Sequence, residues 1–289
     1  MTGTLDIPGF RPYHAKVVGK TVLSSSFVRI YFGSDEFYRL GTDGFDQRIK
    51  ILLPLSGERW GDPHLFDPES IAKGLWYQQW KALDNANRNP VRTYTIRSAN
   101  PRQRLLSVDF VLHEHPGPAG LFAQQCCIGD NVVIIGPDAF SRHSALGIDF
   151  LPGTAHHLLL MGDETAVPAI AASMECLKRT RWKGSGNVII EVPRADDASL
   201  LCSMVTPRRF HVAALDREHH EERGSQLRIR LRALIEKGKL SETRDDLYVW
   251  LAGESSVVRS LRRLLVTDLG LSRERIVFTG YWRQGTEEM

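Results

Sequence analysis

A chain of 289 residues with 42% hydrophobic and 25% charged residues has room for two domains and ample core, and its composition excludes a disordered or fibrous chain. The net charge of +3 fits a solvated surface and anionic small ligands, and is too weak to argue for nucleic acid. Four cysteines without a CxxC or a Cys/His zinc spacing argue against a disulfide framework and provide no metal centre.

The adjacent Cys126 and Cys127 are expected as two helix residues rather than a redox couple. No signal-peptide pattern opens the chain and no apolar run has the length of a membrane span, so a soluble cytoplasmic protein is expected.

After a loose lead-in over residues 1–12, the segments HAKVVGKTVL and SFVRIYF alternate in the manner of two half-buried strands joined near residues 23–26. QRIKILLP at 47–54 is a third strand, closed by its proline, with Lys50 either facing solvent or lining a cleft. Residues 56–90 break the rhythm. They read as an insertion with a short helix at 71–83, in which Trp60, Trp76 and Trp80 pack against a barrel or line a ligand. RTYTIR at 92–97 and LLSVDFVLH at 105–113 are two more strands.

A loop carrying Gly117, Pro118 and Gly120 then enters a helix expected to close at Gly129, and GDNVVIIGP at 129–137 is another strand. Short strands separated by turns imply an N-terminal antiparallel β-barrel spanning residues 1–151.

The pattern changes at residues 151–153. AHHLLLMG is a continuous apolar strand of the kind buried in a parallel sheet, with His156 and His157 expected to be structural. Helices are expected from Asp163, over 199–203, from Ser225 and over 254–269, and further strands at 187–193, 209–215, 246–253 and from Glu274. This βαβ repetition over 152–289 predicts a doubly wound parallel α/β domain.

RTYTIR is the most chemically loaded stretch. On a regular strand Arg92 and Arg97 point to opposite faces, and a kink is needed for both to approach one anion. Tyr94 offers a stacking ring and Thr95 a hydroxyl, which suits a planar ring carrying a diphosphate, although an ordinary amphipathic barrel strand has the same residues.

In the second domain MGDET, EVPR and LAGE end three strands. Gly162 and Gly253 let helix N-termini come near a diphosphate. Glu191 is placed either to accept from a ribose diol, favouring NADH over NADPH, or simply as a surface acid; Arg194 beside it reverses that preference. GxGxxG, GxxxxGK[ST], GxSxG and HExxH are all absent, and the pairs His113/His115 and His219/His220 lack partners for a metal.

These pieces, RTYTIR from Arg92, DFVLH from Asp109, GPAG from Gly117, MGDETAVPAI from Met161, EVP from Glu191, WLAGE from Trp250 and GYWRQG from Gly280, resemble the siderophore-interacting protein family. These are FAD-dependent ferric-siderophore reductases of the ferredoxin-reductase superfamily. The resemblance implies an FAD-binding barrel followed by a nicotinamide-binding domain.

It implies that Arg92, Thr93, Tyr94, Thr95, Arg97, His113, Gly117, Ala119 and Gly120 hold FAD, with Tyr281 and Trp282 near the flavin. It assigns Gly162, Asp163, Glu164, Thr165, Glu191, Gly253 and Glu254 to NADH or NADPH. Lys50 and Arg283 would attract the anionic ferric siderophore. Asp138 stands where the family commonly has arginine, and Arg142 is the substitute.

The implied activity is NAD(P)H-dependent reduction of ferric siderophore through FAD, releasing Fe(II) for intracellular iron acquisition, by a monomer with no iron–sulfur cluster. Ferredoxin is an alternative donor. The competing readings are a general flavin reductase or diaphorase and a non-catalytic siderophore carrier.

Overall fold

The structure, a computed structural model, describes residues 7–55, 59–62, 64–114, 116–202, 204–217 and 222–285. His115, His219 and His220 lie outside these residues. The chain divides into two compact units, one holding the residues up to Val22 and Phe27–Ile148, the other Leu23–Ser26 and the residues from Asp149.

The first unit contains β1 (Phe10–Val22), β2 (Phe27–Gly33), β3 (Arg48–Leu52), α1 (Pro68–Lys73), α2 (Trp76–Ala82), β4 (Val91–Thr95), β5 (Ser98–Asn100), β6 (Leu105–Val111), α3 (Pro118–Gln125) and β7 (Asn131–Pro137). Period-two alternation makes β1 a one-sided strand: Tyr13, Ala15 and Val17 are buried, His14 and Lys16 exposed. The seven strands form one antiparallel sheet in the order β4-β3-β7-β1-β2-β6-β5.

Its two end strands are consecutive in the chain and joined through Ile96 and Arg97. The Ile96 amide donates to Gln47 O at 2.9 Å and the Arg97 amide to Ser107 O at 3.0 Å, so the sheet curls into a half-barrel with its ends tied. Inside lie Tyr13, Ile30, Phe32, Ile49, Ile51, Val108, Phe110 and Ile134.

The insertion differs from expectation in one respect. Gly74, at φ 65°, ends α1 in the left-handed conformation, so two short helices replace one. Trp60, Phe66, Trp76 and Trp80 pack against Leu52, Val91, Val133 and Ile135 on the outer face of the sheet, and the Trp80 indole donates to Asn89 O at 2.9 Å. α3 ends earlier than expected: Cys126 is its C-cap and Cys127 lies beyond it, which corrects the reading of both as helix residues.

The second unit contains β8 (His157–Asp163), α4 (Val167–Arg179), β9 (Ser185–Val192), α5 (Ala195–Cys202), β10 (Phe210–Asp216), α6 (Ser225–Glu236), β11 (Leu247–Glu254), α7 (Ser255–Thr267) and β12 (Ile276–Trp282). The strands form a parallel sheet in the order β10-β9-β8-β11-β12.

The order reverses between β8 and β11, the switch point at which such sheets take ligands. Every residue of β11 is buried, as expected for a strand covered on both faces. Leu159, Met161, Val249 and Leu251 meet Leu227 and Leu231 of α6 and Leu261 and Leu265 of α7 in one core.

Candidate functional site

On β4, Arg92 and Tyr94 share one face and Thr93 and Thr95 the other. The Tyr94 ring lies half-buried against Phe110, with centroids 4.2 Å apart. The Arg92 guanidinium donates through Nη1 to Val91 O at 2.8 Å, and among the described residues it meets no carboxylate within ion-pair distance.

Arg97 is placed differently from Arg92. β4 ends at Thr95, so Arg97 falls in the bend before β5, and its Nε is 3.7 Å from Asp109 Oδ2. Asp109 is itself held bidentately by Arg29, at 2.6 and 2.8 Å. The two arginines thus differ in their surroundings: Arg92 has no acid among the described residues, and Arg97, at the bend that the strand needs if both are to approach one anion, lies near Asp109.

Gly117 precedes α3, and no side chain caps this helix. The first intrahelical bond runs from Leu121 N to Gly117 O at 2.9 Å, so the amides before Leu121 lie ahead of the ladder. A Cβ on Gly117 would meet nothing within 4 Å, whereas one on Gly120 would stand 2.8 Å from Pro116 Cβ. Ala119 has its methyl in the core and offers only its backbone. His113 is exposed.

Each of three features of the first unit suits part of a flavin dinucleotide: Arg92 and the amides at the uncapped start of α3 suit a diphosphate, and the half-buried Tyr94 ring suits a ring system.

Lys50 pairs across the strands with Thr93 and Ile135, and Nζ donates to Thr93 Oγ1 at 2.9 Å. It therefore faces the Thr93 side of β4, away from the side carrying Arg92 and Tyr94. Burial, helped by the Arg48 charge, lowers its ammonium pKa below the ordinary lysine value. Arg142 is exposed and its Nε donates to His143 at 3.2 Å.

Asp138 is 1% exposed, accepts from Arg39 Nη2 at 2.7 Å and from Phe140 N at 2.9 Å, and so has its charge absorbed internally. Arg283 belongs to the second unit and is exposed.

At the carboxyl edge of the parallel sheet the expected nucleotide residues come together, but they are turned inward. A Cβ on Gly162 would lie 2.3 Å from Ala252 O, and one on Gly253, at φ 138°, would lie 2.6 Å from the Asp163 carboxylate, so only glycine permits this packing.

Asp163 Oδ1 accepts from Thr165 N at 2.9 Å; Oδ2 accepts from Glu254 N at 2.7 Å and Trp282 Nε1 at 3.0 Å. Burial, together with the neighbouring Glu164 charge, pushes the Asp163 carboxyl up to about 6. Glu254 caps α7 by accepting from Ser256 N at 2.6 Å and Val257 N at 2.9 Å. The chain's own carboxylates therefore hold the amides that open the helical segments after β8 and β11, which corrects the expectation that both N-termini stand open to a diphosphate.

Glu164 and Glu191 are enclosed, at 1% and 0% exposure. Arg223 Nη1 donates to Glu164 at 2.6 Å, and Arg217 bridges Glu164 at 3.4 Å and Glu191 at 3.2 Å. Burial raises the Glu164 carboxyl, but Arg223 and Arg217 outweigh it and hold it below the ordinary value. Glu191 also accepts from Gly224 N at 2.8 Å, while its second oxygen is buried without a partner.

Glu191 is thus no exposed ribose acceptor in this structure, and the arginine beside it is Arg217, not Arg194. Arg217 and Arg223 escaped the sequence reading because they sit in the charge-dense run DREHHEERG. The available signal was an arginine directly after a strand end. Arg223 also lies over the Trp282 ring, 4.8 Å from its centroid, and Tyr281 packs edge-on to Trp250.

An antiparallel half-barrel followed in the chain by a parallel sheet with a switch in strand order is a ferredoxin-reductase-like fold. Solved ferredoxin reductases share this fold at 14% identity, with TM-scores of 0.61.

Residues 16–140 match the siderophore-interacting FAD-binding domain and residues 155–285 the siderophore-interacting protein domain. The chain belongs to the siderophore-interacting protein family.

It is 30% identical over 198 residues to the ferric acinetobactin reductase of Acinetobacter baumannii, covering 67% of this chain and 61% of that protein. It is 27% identical to the ferric vibriobactin reductase ViuB of Vibrio cholerae, over 94% of this chain and 89% of that one. The siderophore-interacting protein SipS of Aeromonas hydrophila superposes with a TM-score of 0.69 at 26% identity, covering 97% of this chain and 94% of the other.

Proposed function

We propose that this chain is an NAD(P)H-dependent ferric-siderophore reductase that works through FAD and frees iron as Fe(II) inside the cell. The observation that carries the reading is the arginine without an acid among the described residues, Arg92, on the same face of β4 as Tyr94, in a unit that also offers the uncapped start of α3 and matches an FAD-binding family. When bound, FAD accepts hydride from a nicotinamide nucleotide and gives up electrons one at a time.

The chain binds and orients. The Arg92 fork would take the diphosphate, the amides before Leu121 would share its charge, and Tyr94, braced by the buried Phe110 behind it, would offer its ring to the flavin. Gly162, Asp163, Glu164, Thr165, Glu191, Gly253 and Glu254 form the nicotinamide edge. Arg217 and Arg223 supply the positive charge that this acid-rich edge needs for a dinucleotide.

Lys50, Arg142 and Arg283 draw in the anionic ferric chelate. Fe(II) is held much less tightly than Fe(III) by hard oxygen donors, so reduction is release. No side chain has to move a proton in an outer-sphere electron step.

The test is anaerobic. The visible spectrum of the FAD-loaded protein is recorded before and after NADH or NADPH, ferric siderophore is added, and Fe(II) is trapped by a ferrous-specific chelator. Bleaching by either nucleotide and recovery on adding chelate, with stoichiometric Fe(II), is the expected result. Bleaching that is reoxidised by quinone or free flavin but not by ferric chelate overturns the substrate, and absence of any flavin band after FAD addition overturns the whole reading.

A further inference from the structure

The flank of α7 carries positive charge that nothing in the proposed reaction uses. Arg259, Arg262 and Arg263 recur at i, i+3 and i+4, so their side chains emerge from one side of the helix. With Val266, Thr267 and Arg273, which precedes β12, they line a surface cleft of about 280 Å³.

Among the described residues none of these four arginines takes part in an ion pair. Two acids adjoin the cleft residues in sequence: Asp268 accepts from the Thr267 hydroxyl, and Glu274 accepts from Ser272 Oγ at 2.7 Å, a bond that with the Arg273 charge holds its carboxyl below the ordinary value. Like charges at this helical spacing destabilise a helix. The helix dipole does not compensate, because no basic residue falls in the last turn of α7.

Arg262 is the most telling of the four. Its guanidinium carbon lies 4.5 Å over the Phe278 ring, which fixes the plane of the fork, and its Nε is buried with no acceptor. A buried charged donor left without an acceptor is a rare and costly arrangement that an anion relieves. Thr267 and Arg273 place the cleft toward the amino-terminal edge of the parallel sheet, the end opposite Asp163 and Glu254.

We propose that this cleft binds a compact phosphate-rich anion, an oligophosphate or the phosphate chain of a nucleotide. Four guanidinium groups in one cleft call for several negative charges at close spacing. Guanidinium forks take phosphate oxygens in pairs, and the volume lies just below the ~300–1,000 Å³ of common small-molecule pockets, so the ligand is small.

The probe is sodium tripolyphosphate, titrated calorimetrically into the FAD-loaded full chain at fixed ionic strength, with ATP in parallel and sodium sulfate as control. Saturable binding of tripolyphosphate that weakens by at least about tenfold in R259Q/R263Q, with NADPH turnover of the variant unchanged, is expected. Both replaced residues are exposed, and a normal flavin spectrum reports that the variant is folded.

R259K/R263K, which keeps the charge but not the fork, should fall between the two. ATP binding tighter than tripolyphosphate identifies a nucleotide site; equal or weaker ATP binding identifies free oligophosphate. No binding at millimolar tripolyphosphate, or binding that R259Q/R263Q leaves unchanged, overturns the proposal.

Discussion

Two regions of this chain set arginine against charge in opposite ways. On β4, Arg92 has no carboxylate partner among the described residues, and in the same unit α3 starts without a side-chain cap. At the carboxyl edge of the parallel sheet, Arg217 and Arg223 are consumed by Glu164 and Glu191, and the helical segments nearby are capped by Asp163 and Glu254. The first arrangement leaves its energy for a ligand that stays bound. The second spends it on holding the edge together, so on the proposed function a nucleotide would exchange contacts there rather than gain them.

The comparison is most sharply tested at Glu164. Removing it as E164A strands Arg223 and leaves Arg217 with Glu191 alone, and should lower stability by up to about 3 kcal/mol in urea unfolding, while the folded fraction keeps its FAD. Loss of FAD without loss of stability would invert the assignment.

Asp163 gives the next effect. The folded protein holds its proton to about pH 6 and the unfolded chain releases it near 3.8, so this contribution to stability is complete below the unfolded value. It is lost as pH rises through 6, up to about 3 kcal/mol in all. Denaturant titrations of wild type and D163N at pH 4 and pH 7 isolate it: the stability gap between the two proteins should move with pH in that window, and a constant gap would refute the raised pKa.

R92A is the mirror of E164A. It should leave the melting temperature of the apoprotein unchanged and weaken FAD by about 1.5–3 kcal/mol, roughly 10- to 150-fold, read by flavin fluorescence titration. Least of all, K50Q should raise the KM for an anionic ferric chelate by no more than about 1 kcal/mol, an effect erased near ~1 M salt, with FAD content untouched. A KM that ignores salt in both proteins would remove Lys50 from the substrate path.

Strand alternation made the half-barrel legible, and continuous apolar runs made the parallel sheet so, because burial on one face or two leaves those patterns directly. RTYTIR could be read as a strand carrying Arg92 and Tyr94 on one face, because that grouping is local in sequence. What could not be read was pairing across distance. Nothing near Asp138 announces Arg39, and nothing near Glu164 announces Arg223.

The acids of MGDET and LAGE look like ligand groups in sequence, and only the fold shows them accepting their own backbone amides. The break at Gly74 and the early end of α3 at Cys126 were missed for a smaller reason: composition marks helices better than their last residue.

The order of synthesis gives the sheet topology a further meaning. β1 pairs on one side with β2, the next strand to emerge, but on the other with β7, where Tyr13 meets Ile134. On a ribosome the first hairpin therefore waits with both edges open until residues 105–111 emerge to cover β2, and with the β1 edge open until residues 131–137 follow; only then can the half-barrel close. The later sheet assembles from neighbours that follow one another more closely. The interval between β2 and β7 is thus the time at which the nascent chain is most exposed to mispairing and to chaperones.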